Sequence, residues 1–194
     1  MWEAALLCSA LSVATFGRAV ICVRTGLPLG FGVLAVAWCI RALPPSVYLP
    51  RPTVVGVARD VVAMVACTDL AQYCIHRWSH ARRSRSHALH HVHTHPRSTD
   101  AFRTGVADAC VQLMVPILLS LWAVRPERVS TTVFGVGYAL WLQFIHSDSA
   151  WCLAFRSTLL VTPSFHRLHH TKPHRNFGHV LTIWDVLGKT AETP

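Results

Sequence analysis

Charged residues are scarce in this sequence. Only 14% of its 194 residues are Asp, Glu, Lys or Arg, whereas 52% are hydrophobic, and the mean hydropathy is +0.38. A typical soluble domain carries roughly 25% charged residues, so this chain has too few polar side chains to cover a water-facing surface. The composition therefore predicts an integral membrane protein.

Acidic residues are especially few, with 9 Asp and Glu against 18 Lys and Arg, which gives a net charge of +9. A basic balance is also typical of nucleic-acid-binding proteins. Here the arginines cluster between apolar segments instead of along one face, at Arg82, Arg83, Arg85, Arg97 and Arg103. That placement indicates a cytoplasmic loop near anionic lipid, so we expect no nucleic-acid partner.

Several motifs are missing. The seven cysteines include no C-x-x-C pair, which disfavours a disulfide scaffold and a thiolate zinc site. No H-E-x-x-H motif supplies the catalytic glutamate of a zinc hydrolase. The sequence also lacks a nucleotide-binding motif and a haem signature, so any redox reaction needs electrons from another protein.

Five apolar segments organise the chain, at about residues 4–23, 27–40, 54–75, 106–124 and 129–145. A bilayer-spanning helix needs about 20 residues, so we expect four to five hydrophobic helices. No basic region precedes the first segment, which predicts a retained span and not a signal peptide. We divide the chain into an N-terminal membrane hairpin with its connector, residues 1–53, and a main domain, residues 54–194.

Histidine is absent from the first 75 residues, and all 13 histidines follow. The fourth and fifth apolar segments are joined only by RPER, which predicts an antiparallel hairpin. This hairpin leaves the side of the membrane on which His76 lies and returns to it, so that His146 emerges there. The topology therefore predicts a single histidine-rich helical cap on one membrane face.

The histidines recur with helical spacing. HRWSH places two rings one turn apart, and HALHH and HRLHH each place three rings on one side of a helix. Imidazole is the commonest metal-ligating side chain, and nine are too many for one ion, so the pattern predicts two metal ions. The candidate ligands are His76, His80, His87, His90, His91, His146, His166, His169 and His170.

The spacing leaves the element open, because imidazole suits zinc, copper, iron and nickel. Histidine-rich tracts also arise as adventitious metal binders, but three spaced clusters on one predicted face favour a built site. Ligands must be neutral, and histidine has a pKa near 6.5, so acidification below roughly pH 6 is expected to favour metal loss. His93, His95 and His174 fall outside the repeated spacing and are not expected to bind metal, whereas His179 is intermediate.

Three aspartates are candidates for orienting the rings. Asp69 lies two helical turns before His76 on the same face. It is expected either to accept the second ring proton of His76 or to make a polar contact between helices. Asp148 and Asp185 invite similar interpretations with less support.

The motifs occur in the order TDLAQYCIHRWSH, HALHH, FIHSD, VTPSFHRLHH and NFGHVLTIWDVLGKT. From about residue 54 to 190 this series resembles the fatty acid hydroxylase/sterol desaturase superfamily of integral membrane di-iron oxygenases. The resemblance implies an all-α membrane bundle with a cytosolic histidine-rich cap. It makes the nine histidines iron ligands, with no catalytic residue beyond them, and the C-terminal motif is closest to the sterol desaturase branch.

The resemblance also implies an activity. The protein would be an oxidoreductase that hydroxylates or desaturates a C–H bond of a sterol or fatty acyl lipid with dioxygen. It would hold two iron ions and receive electrons from NAD(P)H through a b-type cytochrome or ferredoxin. In a eukaryotic cell it would be a multi-pass protein of the endoplasmic reticulum. The alternatives are a non-catalytic membrane protein that binds metal or lipid, and a zinc-dependent membrane hydrolase.

Two positions depart from the family pattern. Many members carry a further histidine in an arginine-led motif after the second box, where FRTGVADAC places Gly105. Leu142 stands one turn before His146, where a histidine is missing. These departures predict either a thinner metal shell, with weakened or absent activity, or a replacement ligand supplied by His174 or His179.

Overall fold

The computed structural model describes residues 53–194. In this range the chain is helical without a named strand, and an isolated antiparallel bridge joins Leu160 to Leu181. The expectation of an all-α fold is confirmed for this range. The first two predicted spans, at about residues 4–23 and 27–40, lie outside the described residues.

The helices of the described range differ widely in length. They are α1 (Val54–Ala81), α2 (Arg85–Ala88), α3 (Val106–Ala109), α4 (Val115–Val124), α5 (Arg128–Ile145), α6 (Ala150–Ala154), α7 (Pro163–Thr171) and α8 (Ile183–Leu187). Two 3-10 turns lie at His90–Val92 and Ser98–Asp100, and a π-helical turn, Cys110–Met114, joins α3 to α4.

Helix α1 is the central element, because both α4 and α5 pack along it. Its 28 residues extend about 42 Å. The Thr53 side chain caps its start by accepting a hydrogen bond from the Gly56 amide at 3.0 Å. Its buried positions recur mostly at helical spacing, and they are Asp60, Met64, Thr68, Asp69, Gln72, Tyr73, His76 and Ser79.

The continuous segment from α3 to α4 is apolar. Its window Ala107–Val124 has a mean hydropathy of 1.8 and is long enough to cross a membrane. Among the described residues, no other helix meets the same criterion of length and composition. The sequence predicts four to five hydrophobic helices, and three of them fall in the described range. Only one helix of this range meets the criterion for a membrane span, so the other two predicted spans are not confirmed.

The chain path returns to its starting end, as predicted. Gln112, near the start of this segment, donates a hydrogen bond to Ser79 near the end of α1. At the other end of the bundle, Asp60 near the start of α1 accepts hydrogen bonds from the Glu127 amide and the Ser130 hydroxyl. Helix α5 then runs back alongside α1, so that its C-cap His146 reaches the end of the bundle where the histidines lie.

Candidate metal centre

Nine histidines converge in two groups at this end of the bundle. In each group, one nitrogen from every ring lies within 4.8 Å of the corresponding nitrogens of the others. The first group contains His76, His80, His87, His91 and His169, and the second contains His90, His146, His166 and His170. The structure thus brings together every histidine that the spacing singled out. Six of the nine are buried and three are half-buried.

The two H-x-x-H-H boxes are each divided between the groups. His90 joins the second group, whereas His87 and His91 join the first. The expectation that HALHH lies on one side of a helix is wrong, because α2 ends at Ala88 and a 3-10 turn follows. Helix α7 is continuous, but its box is divided as well, with His169 in the first group.

The ring nitrogens that face one another are Nε2 atoms. In the first group, the Nε2 of His80 lies 3.2 Å from that of His76 and 3.1 Å from that of His87. In the second group, the Nε2 of His166 lies 3.0 Å from that of His146 and 3.2 Å from that of His170. Both groups therefore present an inward-facing set of imidazole nitrogens.

Backbone carbonyls orient four of these rings by accepting a hydrogen bond from Nδ1. The pairs are His76 with Phe177 at 2.9 Å, His146 with Leu142 at 2.7 Å, His169 with Arg175 at 2.6 Å, and His170 with His93 at 3.0 Å. A carbonyl oxygen only accepts, so Nδ1 must carry the proton. In the neutral ring, Nε2 is then left with a lone pair available for a metal ion.

A carboxylate orients a fifth ring. The Nδ1 of His87 lies 3.2 Å from both oxygens of Asp108, and Thr104 donates a hydrogen bond to the same carboxylate. Carboxylates that accept from a ligating imidazole fix its tautomer and raise its basicity. Sequence reasoning missed Asp108. The available signal was an acidic side chain at the start of an apolar segment, where an unpaired charge is unfavourable.

The donor set fits a metal ion in each group. With Nδ1 protonated, several Nε2 lone pairs face one another inside each group, and such lone pairs repel unless a cation lies among them. Nitrogens about 2.1 Å from a common ion lie roughly 3.0 Å apart when they are at right angles, which matches the 3.0–3.2 Å contacts. An all-imidazole set suits iron, zinc, copper or nickel.

Burial keeps these rings neutral. Burial and, to a smaller extent, neighbouring imidazoles lower the pKa of His80 to about 3, of His90 to about 4 and of His91 to about 2. Desolvation disfavours the charged imidazolium form, which is the form that cannot bind a metal. The rings are therefore ready to act as ligands at neutral pH.

Comparison with known proteins agrees with this geometry. A sequence model of the fatty acid hydroxylase family matches residues 61–190. The chain belongs to the fatty acid hydroxylase/sterol desaturase superfamily. No solved structure matches the chain significantly.

Three curated relatives have names that refer to squalene, a sterol or a methylsterol. The chain is 33% identical over 180 residues to the alternative squalene epoxidase of Phaeodactylum tricornutum, covering 87% of the chain and 51% of that protein. It is 28% identical over 142 residues to a Delta(7)-sterol 5(6)-desaturase of Leptosphaeria maculans, covering 67% and 36%. It is 26% identical over 153 residues to methylsterol monooxygenase 1-3 of Arabidopsis thaliana, covering 72% and 50%. The chain thus spans about half the length of these relatives or less.

Asp69 contacts the backbone that orients a histidine, and it does not contact the histidine rings themselves. Of its two expected roles, it does not accept the ring proton of His76, whereas its bond from Trp184 of α8 is the expected polar contact between helices. Its carboxylate instead accepts hydrogen bonds from three consecutive backbone amides, those of residues 179–181, and from the Trp184 indole. These bonds fix the segment that follows Phe177, whose carbonyl orients His76.

Asp185 fixes the two residues that precede this segment, Phe177 and Gly178. It accepts hydrogen bonds from the amides of Phe177 at 2.8 Å and Gly178 at 2.7 Å. A Cβ on Gly178 would lie 2.7 Å from the Leu181 carbonyl oxygen, which explains the glycine of the NFG motif. Asp148, by contrast, pairs with Arg97 at 3.4 Å on the exposed surface.

The two proposed replacement histidines have different surroundings. His174 is exposed and belongs to neither group. His179 is buried, and its ring centroid lies 4.8 Å from that of His76 and 5.6 Å from that of His166. Its ring therefore adjoins one member of each group. Gly105 lies in an open position, where an added Cβ would meet only Leu89 at 3.7 Å.

A cavity opens beside both groups. Its interior offers only about 60 Å³, and the space between its lining atoms is about 580 Å³ when the open solvent at its mouth is included. Four histidines line one part of it, and small or apolar side chains line another. The full lining is Gln72, His87, His90, Ala101, Phe102, Thr104, Asp108, Ala109, Gln112, Leu113, Leu142, His146 and His179. A largely apolar ligand can thus approach both groups.

Proposed function

We propose that this protein is a membrane-bound, dioxygen-dependent oxidoreductase that hydroxylates or desaturates a lipid C–H bond at a centre of two iron ions. The observation that carries the proposal is the convergence of nine imidazoles in two groups beside an apolar cavity. Membership of the fatty acid hydroxylase/sterol desaturase superfamily supports the choice of reaction.

The iron would be held by the nine histidines, His76, His80, His87, His91 and His169 for one ion and His90, His146, His166 and His170 for the other. The chemistry that bound iron supplies is the activation of dioxygen for attack on an unactivated C–H bond. The chain orients the rings through carbonyls and Asp108, and it excludes bulk water by burying most of them.

The substrate is a lipid of the sterol or fatty acyl class. The names of the three relatives refer to squalene, a sterol and a methylsterol, which favours a sterol or a related apolar lipid. Phe102, Leu113 and Leu142 give the cavity an apolar wall that suits such a molecule. In the proposed complex, one carbon of the lipid lies next to the histidines.

The protein would work inside a membrane. Apolar side chains are exposed in periodic stripes, at Val111, Val115, Leu119 and Trp122 on the segment through α4, and at Val129, Val133, Val136 and Leu140 on α5. Stripes of this size are unfavourable in water and fit lipid tails. Together with the predicted N-terminal spans, they support a multi-pass protein, placed in the endoplasmic reticulum if the cell is eukaryotic.

Electrons would come from NAD(P)H through a separate redox protein, a b-type cytochrome or a ferredoxin. Arg82 and Arg83 are exposed on the connection between α1 and α2, and Arg85 is exposed at the start of α2, next to the first group of histidines. Their positive charge suits an acidic redox partner, since complementary charge speeds protein association.

Two other functions remain alternatives. A zinc-dependent hydrolase is disfavoured because no glutamate accompanies the histidines in either group. A non-catalytic metal- or lipid-binding protein is the second alternative, and its support is the missing family histidine at Gly105. Zinc has no redox chemistry, so metal content and oxidation separate the three functions.

The decisive experiment combines metal analysis with lipid profiling. The full-length chain is expressed in cells beside a His166→Ala variant, purified for iron and zinc content, and the cellular lipids are compared by mass spectrometry. We expect about two irons per chain and an oxidised lipid that only the wild type produces. One zinc per chain with hydrolysed lipid supports the hydrolase, and unchanged lipids support the non-catalytic alternative.

A further inference from the structure

A π-helical turn interrupts the apolar helix beside the cavity. The Val115 amide donates to the carbonyl of Cys110, five residues earlier, so the turn from Cys110 to Met114 is wider than in an α-helix. Such turns are rare and occur frequently at functional sites. This one contains Gln112, a polar residue in an otherwise apolar stretch, and Gln112 lines the cavity.

The amide of Gln112 is incompletely paired. The side chain is only 8% exposed, and its Nε2 donates a hydrogen bond to the Ser79 hydroxyl at 2.8 Å. Its Oε1 is buried and has no partner among the described residues. If the amide were rotated by half a turn, Nε2 would be the atom left over instead. In either orientation, one polar atom of a buried side chain awaits a partner, which is unusual in folded proteins.

Two other polar side chains of the lining have hydrogen-bond partners. Asp108 accepts hydrogen bonds from His87 and Thr104. Gln72 accepts one from Tyr138. Of the described residues that line the cavity, Gln112 and His179 each keep a buried polar atom without a partner, and only Gln112 of the two carries an amide. The side chains beside Gln112 in the lining, Ala109 and Leu113, are apolar.

We propose that Gln112 determines substrate specificity by binding a hydroxyl group of the lipid. The proposal rests on the proposed function and names the substrate class, a hydroxylated lipid such as a sterol. A hydroxyl both donates and accepts, so it pairs with either orientation of the amide. Because Gln112 and four histidines line one cavity, one lipid molecule can place its hydroxyl at Gln112 and another of its carbons near the histidines.

A pure hydrocarbon such as squalene leaves the amide unpaired. An unpaired buried polar group weakens binding by about 5- to 100-fold relative to a paired one. The chain is therefore expected to differ in substrate from its relative named as a squalene epoxidase. The discrimination is expected mainly in KM, since the hydroxyl is bound equally before and during the reaction.

The test uses the full-length, iron-loaded chain in lipid nanodiscs. The probes are cholest-7-en-3β-ol, its 3-deoxy analogue cholest-7-ene, and squalene. Equilibrium binding is measured with tritiated probes in the absence of reductant, and turnover is measured with a reductant and dioxygen. The variants are Gln112→Leu and the matched control Gln143→Leu, which removes a half-buried amide of α5 that does not line the cavity.

We expect the wild type and Gln143→Leu to bind the hydroxysterol about 5- to 100-fold more tightly than the deoxy analogue. Gln112→Leu should lose this preference and retain its binding of the deoxy analogue, which shows that it is folded. Equal binding of the two sterols by the wild type, tighter binding of squalene, or an unchanged preference in Gln112→Leu overturns the proposal.

Binding and turnover together distinguish a failure of this inference from a failure of the proposed function. Hydroxyl-dependent binding without oxidation of any probe supports the role of Gln112 and contradicts lipid oxidation. Oxidation of squalene or the deoxy sterol without any preference for the hydroxyl supports lipid oxidation and contradicts the role of Gln112.

Discussion

The Nε2 atoms of His146 and His166 lie 3.0 Å apart, although 20 residues separate them in the chain. His146 is 2% exposed and His166 is fully buried, so bulk water does not separate the two nitrogens. The Leu142 carbonyl holds the proton of His146 on Nδ1, which turns a lone pair of this ring towards His166. The fold thus holds ligand atoms at metal-binding separation, and a cation among them would stabilise it.

Removing one ligand of the first group should prevent this group from binding its metal ion. For His169→Ala we expect iron to fall from about two to about one per chain and lipid oxidation to be abolished, because the two ions act as one centre. The matched control is His93→Ala, which removes a ring outside both groups but keeps the carbonyl that orients His170. Iron content and product formation are measured on both variants. Full iron content and turnover in His169→Ala would show that the ligand assignment is wrong.

Asp108 should act on metal affinity through His87. Asp108→Ala removes the carboxylate that holds the Nδ1 proton, and the loss of such a partner typically weakens metal binding about 10- to 100-fold. The affinity is measured by competition with a chelator. Asp148→Ala is the control, because Asp148 pairs only with Arg97 at the exposed surface. Equal affinities of the two variants would contradict an orienting role for Asp108.

The turn that contains Gly178 should not tolerate a side chain. In Gly178→Ala, the new Cβ would lie 2.7 Å from the Leu181 carbonyl oxygen and 2.9 Å from Asp185, so the backbone must shift. That shift moves the adjacent Phe177 carbonyl away from His76, and we expect lower thermal stability and less iron.

Gly137→Ala is the matched control for this turn. Among the described residues, a Cβ added at Gly137 would meet no atom within 4 Å outside the nearby backbone of α5. Alanine favours a helix over glycine by about 1 kcal/mol, so this variant should be as stable as the wild type or more stable. A melting temperature for Gly178→Ala as high as that of Gly137→Ala would refute the steric argument.

The histidine spacing was sufficient to identify the rings that come together but not to divide them into two groups. All nine candidate ligands come together because helical spacing aligns His76 with His80 and because the chain path returns to one end of the bundle. The assignment of His90 to a different group from His91 depends on a 3-10 turn. Local spacing in the sequence does not determine where a short helix gives way to such a turn.

Contacts between segments that are distant in the chain could not be predicted from the sequence either. Asp69 and His76 share a face of α1, so a direct contact was a reasonable expectation. The C-terminal segment instead packs on that face. Its backbone amides donate hydrogen bonds to the Asp69 carboxylate, and its Phe177 carbonyl accepts one from the His76 ring. Backbone groups have no sequence signature, which is why Gly178 and the three amides bound by Asp69 could not be identified as parts of the site in advance.

Acid should release the metal by unfolding the histidine cap. In the folded protein, burial lowers the pKa of His80 to about 3 and of His90 to about 4, whereas in the unfolded chain both return to 6.5. Between these values the unfolded chain binds more protons, so the free energy of unfolding falls as the pH falls from 6.5 towards 4. Direct protonation of a folded ligand begins only near its lowered pKa.

The sequence-based expectation of metal loss below roughly pH 6 therefore gains a mechanism and a sharper outcome. We expect iron release to coincide with a loss of helical circular dichroism and with exposure of the cap to protease, and we expect both below pH 6. The two signals are followed in parallel during one acid titration, with Asp148→Ala as a variant whose histidines are unchanged. Iron release near pH 6 from a cap that is still helical and protease-resistant would mean that the imidazoles titrate as exposed groups, contrary to their burial.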